Sequence, residues 1–335
     1  MSVFIIAEAG ANHNRDFKQA LTLIDIAKTS GADAVKFQTY SSETLYSKNT
    51  PDFAGYKNIN KLIRDIELPR EWQRDLKLYC DDIGIEFMST PFDESAVDQL
   101  VSLGVKRLKI AGFESTDPRF VKMVAKANLP VIVSAGIGSN VLSIKNIIKW
   151  ISGEQTDPDI TVLHCNNAYP TPDEDINLNR IDSLKQSYKN IKVGLSDHTE
   201  GILAPSLAVA KGASCIEKHY TISKRLPGPD HPFALEPTEL EHMIRNIRLA
   251  EKMCKDTQVL LTNSENKFFK GMRSVIAKTQ IQKGQILTED NITTKRPFLP
   301  GNIHASRYYD LLGSVSNKEV ISDDFILESD IEEQI

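Results

Sequence analysis

The chain has 335 residues, 41% of them hydrophobic and 25% charged, with 17 Gly and 15 Pro, a globular composition that excludes a disordered, collagen-like or coiled-coil chain. Forty Lys and Arg against 45 Asp and Glu leave a formal charge of −5, which argues against a broad nucleic-acid surface but leaves room for a local basic pocket. The N-terminus shows no basic leader, no uncharged run approaches the roughly 20 residues of a membrane span, and Cys80, Cys165, Cys215 and Cys254 form no CxxC pair, so a cytoplasmic protein with apolar, unpaired cysteines is expected.

Strand-like runs begin near Val3, Asp33, Ile85, Arg107, Pro130, Ile160, Ile191 and Ser214. Helical patterns fall between them, including Phe17 to Ser30, Pro69 to Asp82, Asp93 to Leu103, Asp117 to Ala127 and Val141 to Ile151. Runs such as Val131-Ile132-Val133 are apolar on consecutive residues, as suits parallel strands covered by helices. A last helix near Glu239 to Met253 places Leu240, Met243, Ile244 and Ile247 on one stripe. This alternation predicts an α/β fold, a (β/α)8 TIM barrel over residues 1–257, with an open doubly wound sheet as the alternative. Glu8 to His13 lacks the GxGxxG spacing and no GxxxxGK[ST] occurs, so dinucleotide and nucleoside-triphosphate readings lose their usual support.

Residues 258–270 read as a linker, and 271–335 as a small domain of brief strands, beginning with Ser274 to Ala277 and broken by turns at Lys283-Gly284 and from Arg296-Pro297 to Pro300-Gly301. A domain of about 65 residues has little core of its own, which favours docking or dimer burial.

Active sites of such barrels gather at the carboxyl ends of the strands. Those ends carry Glu8, Lys36 and Gln38, Thr90, Lys109 and Glu114, Ser134, Asn167 and Tyr169, Ser196 and His198, and Glu217 and His219. Long polar groups recurring at equivalent places are better explained by a shared polar ligand than by a packed interior. His198 and His219, on neighbouring strands, are a candidate pair for a divalent transition ion, whereas His164, after an apolar run, is expected to be buried and hydrogen-bonded. Lys36 and Lys109 suit a phosphate or carboxylate. Asp93 reads as a helix cap, Asp197 as a buried partner or helix start, and Asp230, after Pro227-Gly228-Pro229, as a loop carboxylate able to orient sugar hydroxyls. The chemistry alone points to a metal-assisted enzyme acting on a small, anionic, oxygen-rich substrate.

Seven segments carry a resemblance: Glu8-x-Gly10-x-Asn12-His13, Val35-Lys36-x-Gln38-Thr39, Ser89-Thr90-Pro91-Phe92, Lys109-Ile110-x-x-x-Glu114, His164-Cys165-x-Asn167-x-Tyr169-Pro170, Gly194-x-Ser196-Asp197-His198-Thr199 and Glu217-Lys218-His219. Together they resemble the sialic acid synthase family, which joins phosphoenolpyruvate to an N-acylated mannose-like sugar. The resemblance implies a TIM barrel followed by an antifreeze-like (SAF) domain. It further implies Mn²⁺ on His198 and His219, with Mg²⁺ or Co²⁺ as substitutes, and phosphoenolpyruvate on Glu8, Lys36, Thr90, Lys109, Asn167 and Ser196. Glu114, Tyr169 and Asp230 would lie near the sugar. Catalysis is assigned to Glu8, which handles a proton or orients water, and to His219 through the metal. Lys295-Arg296-Pro297 with Gly301-Asn302 resembles a substrate-facing turn, implying a domain-swapped homodimer in which Arg296 completes the partner site.

Two departures from the family pattern stand out: Gly112 and Ala135 each replace a hydroxyl residue. Gly228-Pro229-Asp230-His231 resembles sialic and legionaminic more than pseudaminic acid synthases, so N-acetylmannosamine and 2,4-diacetamido-2,4,6-trideoxymannose are the expected acceptors and a bacterial surface glycan the expected setting. The competing readings are a pseudaminic acid synthase, a pyruvate-dependent barrel aldolase working through a lysine imine, and a non-catalytic carbohydrate-binding or assembly protein.

Overall fold

The computed structural model describes residues 2–52, 55, 57–255 and 260–332 and divides into two units, Met1–Lys255 and Asp256–Ile335. In the first unit eight parallel strands alternate with helices: β1 (Phe4–Gly10), β2 (Ala34–Thr39), β3 (Glu86–Pro91), β4 (Leu108–Ile110), β5 (Val131–Ala135), β6 (Ile160–Cys165), β7 (Lys192–Asp197) and β8 (Cys215–His219). β1 pairs with both β2 and β8, the remaining neighbours follow in order, and β3 lies beside β4, which closes the ring. The open-sheet alternative is thereby excluded.

The helices are α1 (Phe17–Thr29), α2 (Ile59–Ile66), α3 (Trp72–Ile83), α4 (Glu94–Ser102), α5 (Pro118–Ala125), α6 (Val141–Ser152), α7 (Asn179–Ser187), α8 (Leu203–Ala210) and α9 (Pro237–Met253). Polar caps set several starts: Asp16 accepts from Lys18 and Gln19 amides, Asp93 from the Ala96 amide, and Asn140 forms a capping box with Ser143. Asp93 is thus a cap, as its position before a helical pattern predicts. The α9 stripe of Leu240, Met243, Ile244 and Ile247 is buried. Helix α2 was not foreseen; it buries only Ile59.

Side chains alternate across each strand, so period two sorts the barrel into layers. Val131, Val133 and Ala135 face outward into the large apolar shell beneath the helices. Ile6, Ala34, Met88, Ile132, Leu163 and Cys215 face inward as an apolar plug, with Phe4 beside them. Arg107 stands over the Phe4 ring at 4.3 Å and grips Glu86 through two hydrogen bonds of 2.6 and 3.1 Å, forming a floor. One step further along the same inward faces, the polar residues begin. Cys80, Cys165 and Cys215 are buried and unpaired, whereas Cys254 is exposed, contrary to the apolar role expected of it.

In the second unit, β9 (Ser274–Ala277) pairs antiparallel with β10 (Ile292–Lys295), and Val275, Ile281, Leu287, Ile292, Ile303 and Ile326 form its core. The segment expected to be a plain linker contains a capped helical turn at Asn263–Asn266, and its residues 258–259 lie outside the described residues.

Candidate active site

Above the apolar plug, register brings polar side chains to one height: Glu8 lies opposite Lys36 and His219, and Ser196 opposite Glu217. The Lys36 ammonium sits 2.7 Å from Glu8 Oε2 and 3.6 Å from Glu217 Oε1, and donates to Thr90 Oγ1 at 2.9 Å. Lys109 donates to Ser134 Oγ at 2.8 Å and to the Ile110 carbonyl at 3.1 Å, and stands 3.8 Å from Glu217 Oε1. Gln38 donates to Glu8 Oε1 at 2.8 Å, and Ser196 to Glu217 Oε1 at 3.3 Å. Four groups of formal charge zero in total are therefore buried together, since Glu8, Lys36, Lys109 and Glu217 are each under 5% exposed. The free space among them is about 40 Å³, enough for only a few waters.

Burial and the unequal share of ammonium neighbours move the two carboxyls in opposite directions. Burial raises Glu8 to about 7 despite Lys36 beside it, and the charge of Glu217 adds to the rise. Burial also works to raise Glu217, but Lys109 and Lys36 outweigh it and hold that carboxyl below its ordinary value. Burial opposes the charge on Lys36, yet Glu217 and Glu8 win and raise it. For Lys109 burial prevails and lowers it, partly offset by Glu217.

The two candidate imidazoles line the same cavity, with ring centroids 5.4 Å apart. His198 Nδ1 lies 2.6 Å from the Asn166 carbonyl; as the donor there, it leaves Nε2 with a free lone pair. Burial lowers His198 to about 4 and His219 well below its usual value, so both are neutral at ordinary pH. His219 Nδ1 is buried without a hydrogen-bond partner, 3.7 Å from Asp230 Oδ2. Among the described residues no set of three His, Cys, Asp or Glu groups forms a complete metal cage. Two neutral imidazoles, one already oriented by a carbonyl, fit an open metal site whose other positions belong to water or substrate. His164, by contrast, spends Nε2 on the Ile176 carbonyl at 2.5 Å, the buried hydrogen-bonded role expected of it. Asp197 is likewise a buried partner, 2.6 Å from the Lys218 ammonium.

Around this centre, the Tyr169 ring lies tilted at 39° against His198 with centroids 4.1 Å apart, and Phe233 approaches His219 at 5.2 Å and Tyr169 at 5.7 Å. Phe233 gives no signal in the sequence, being one aromatic in a long loop; Glu217 and Gln38 are visible there at strand ends, with no role attached to either. Glu114 starts a short 3₁₀ turn after β4; burial raises its carboxyl, and Oε2 has no partner. Asp230, the loop carboxylate expected near the sugar, lies beside His219, its side chain 20% exposed. Arg296 lies in the second unit, exposed, next to a cis bond to Pro297.

The two departures from the family pattern have different physical standing. A Cβ added to Gly112 would stand 2.8 Å from Asn167 Nδ2, and one on Gly136 only 1.9 Å from Asn167 Oδ1. The Asn167 amide thus fills the space where a larger residue at 112 would sit, and it accepts from the Ile137 amide at 2.9 Å. Ala135 points into the outer shell, away from the cavity, so a hydroxyl there would not reach an anion.

Comparison with known proteins adds independent findings. The NeuB family model matches residues 23–259 and the SAF domain model residues 272–332. An N,N'-diacetyllegionaminic acid synthase of Campylobacter jejuni is 40% identical over 334 residues, covering 97% of this chain and 98% of that protein. A pseudaminic acid synthase of Campylobacter jejuni is 37% identical over 335 residues, covering 98% and 96%. The crystal structure of the N-acetylneuraminic acid synthetase of Leptospira borgpetersenii, in complex with citrate, superposes with a TM-score of 0.74 at 34% identity, covering 80% of this chain and 90% of that one.

Proposed function

The chain belongs to the NeuB family and ends in a SAF domain, and on that premise we propose that it condenses phosphoenolpyruvate with an N-acylated mannose-like sugar to give a nine-carbon 2-keto sugar acid, with water addition and phosphate release. The observation that supports this most is one mouth shared by two buried lysines and two neutral imidazoles. The ammonium groups suit the carboxylate and phosphate of phosphoenolpyruvate, with Thr90, Ser134, Asn167 and Ser196 as hydroxyl and amide partners. His198 and His219 would hold a divalent ion such as Mn²⁺, with Mg²⁺ or Co²⁺ as substitutes, and a Lewis acid there would polarise the sugar carbonyl.

In the reaction, the double-bond electrons of phosphoenolpyruvate form the new bond from carbon three to the sugar aldehyde carbon, whose oxygen takes up a proton. Water adds to carbon two and loses one proton, and the carbon–oxygen bond to phosphate then breaks with its electron pair going to the phosphate, which takes the remaining hydroxyl proton and leaves the ketone. Glu8, poised near neutrality, is the group suited to accept the proton of that water or to orient it. Burial beneath an aromatic wall keeps further water from the reactive centre.

We assign Tyr169, Glu114 and Asp230 to the acceptor side and favour N-acetylmannosamine or 2,4-diacetamido-2,4,6-trideoxymannose over the acceptor of pseudaminic acid synthases, from the Gly228-Pro229-Asp230 turn. The protein acts as a homodimer in which Arg296 of the SAF domain completes the partner's site. The imine-forming aldolase is disfavoured at Lys36, which its carboxylate neighbours hold as a cation rather than a free amine. The non-catalytic reading loses its support at Ala135, which faces away from the cavity.

The test is purified protein with phosphoenolpyruvate, Mn²⁺ and a panel of N-acylated sugars, following phosphate release and product mass together. Stoichiometric phosphate and a nine-carbon acid are expected with at least one sugar. His198→Ala should weaken Mn²⁺ binding in calorimetry and lower the rate at least a hundredfold, about 3 kcal/mol of transition-state stabilisation. Absence of phosphate release with every sugar would overturn the assignment.

A further inference from the structure

The loop after β8 is closed at its neck: the Thr221 amide donates to the Leu235 carbonyl at 2.8 Å, and the Leu235 amide to the His219 carbonyl at 3.0 Å. Within it His231 is fully buried. Its Nδ1 lies 2.6 Å from Thr221 Oγ1 and its Nε2 3.2 Å from Asn14 Oδ1, on the turn after β1. With Asn14 presenting its carbonyl oxygen, the consistent assignment has Nε2–H donating to Asn14 and Nδ1 accepting from the Thr221 hydroxyl. Asn14 is held in the left-handed region at φ 49°, and Gly228 crosses directly over the pair, where a Cβ would stand 2.8 Å from His231 Cδ2 and 3.2 Å from Asn14 Oδ1. One imidazole therefore joins two loops that are distant in sequence.

The residue beside it is Asp230. Its Oδ2 has the Ala11 amide at 3.4 Å and His219 Nδ1 at 3.7 Å, long contacts that fix it only weakly. It fits a notch left by Gly10, where a Cβ would come within 2.8 Å of Oδ2. Its position follows from the loop, which is held at its neck by backbone bonds, near its start by the Lys224 amide donating to Glu236 at 2.9 Å, and next to Asp230 itself by His231. We propose that His231 is a positioning residue: through Asn14 and Thr221 it latches the loop after β8 onto the turn after β1 and so holds Asp230 opposite His219, fixing the acceptor end of the site. The inference rests on the acceptor-side role given above to Asp230.

The experiment uses Asn14, whose left-handed backbone accepts both Gly and Asp without strain. Asn14→Gly removes the acceptor of the latch, and Asn14→Asp keeps it. Asn14→Gly should raise the sugar KM about tenfold, as misplacement of a positioning group does, while the phosphoenolpyruvate KM stays within twofold; Asn14→Asp should restore the sugar KM. In ¹⁵N-resolved NMR, the His231 Nε2–H signal should be protected in the wild type and Asn14→Asp, lost in Asn14→Gly, and its loss should shift the His219 ring. An unchanged sugar KM in Asn14→Gly, or both KM values rising by one factor, overturns the latch. If no sugar supports turnover in the wild type, the proposed reaction fails and NMR decides the latch: a shifted His219 ring sustains it, and an unmoved one refutes it.

Discussion

Glu8 and Glu217 share the Lys36 ammonium, while Lys109 pairs with Glu217 alone, and in this buried setting the two carboxyls part: Glu8 is raised and Glu217 lowered. Glu8, raised from 4.5 to about 7, binds a proton in the folded chain over a pH range where the unfolded chain has released it. The stability it contributes is fully present below about pH 4.5 and is lost as pH rises through about 7. In Glu8→Gln this contribution no longer varies with pH, so the variant should gain stability relative to the wild type between pH 5 and 8, read from urea midpoints. The wild-type rate profile should show an inflection near 7 that the variant lacks; matching profiles would remove Glu8 from proton handling. Lys36, Thr90, Lys109, Ser196, His198 and His219 were legible in the sequence because a strand end is a local feature, and all of them line one cavity. Phe233 was not, because it depends on a loop whose path is fixed by hydrogen bonds to residues hundreds of positions away; Asp230, on the same loop, was reached chiefly through the resemblance.

At the scale of elements, strands covered on both faces read as short continuous apolar runs, and their predicted starts fall within one residue of those observed. Helix α2 escaped because its apolar residues other than Ile59 are only half covered, leaving a pattern that resembles loop. Caps carry more weight than stripes in placing the helix starts. Asp93 accepts from the Ala96 amide at 2.8 Å, from Arg70 at 2.6 Å and from Thr44 at 2.9 Å. Burial works to raise its carboxyl, but the Ala96 amide and Arg70 hold it below its ordinary value. Asp93→Ala should cost roughly 1–2 kcal/mol in chemical denaturation, and Asp93→Asn much less, because the amide oxygen still caps α4. Equal stability of wild type and Asp93→Ala would show that α4 is held by packing alone.

At the scale of the whole molecule, a SAF domain with a core of few residues gains from association, and the proposed homodimer gives that association a catalytic purpose. Specific activity should fall on dilution in step with dimer dissociation measured by analytical ultracentrifugation. Arg296→Ala should raise the sugar KM about tenfold and leave the phosphoenolpyruvate KM within threefold. Full specific activity in a monomer would separate assembly from turnover. The barrel itself imposes one more condition. Its lower end is stoppered by Phe4, Arg107 and Glu86 beneath a filled apolar layer, so the polar cavity is closed on that side. Whatever rests against the lysines therefore enters and leaves past the carboxyl ends of the strands, the side on which His198, His219 and Tyr169 stand.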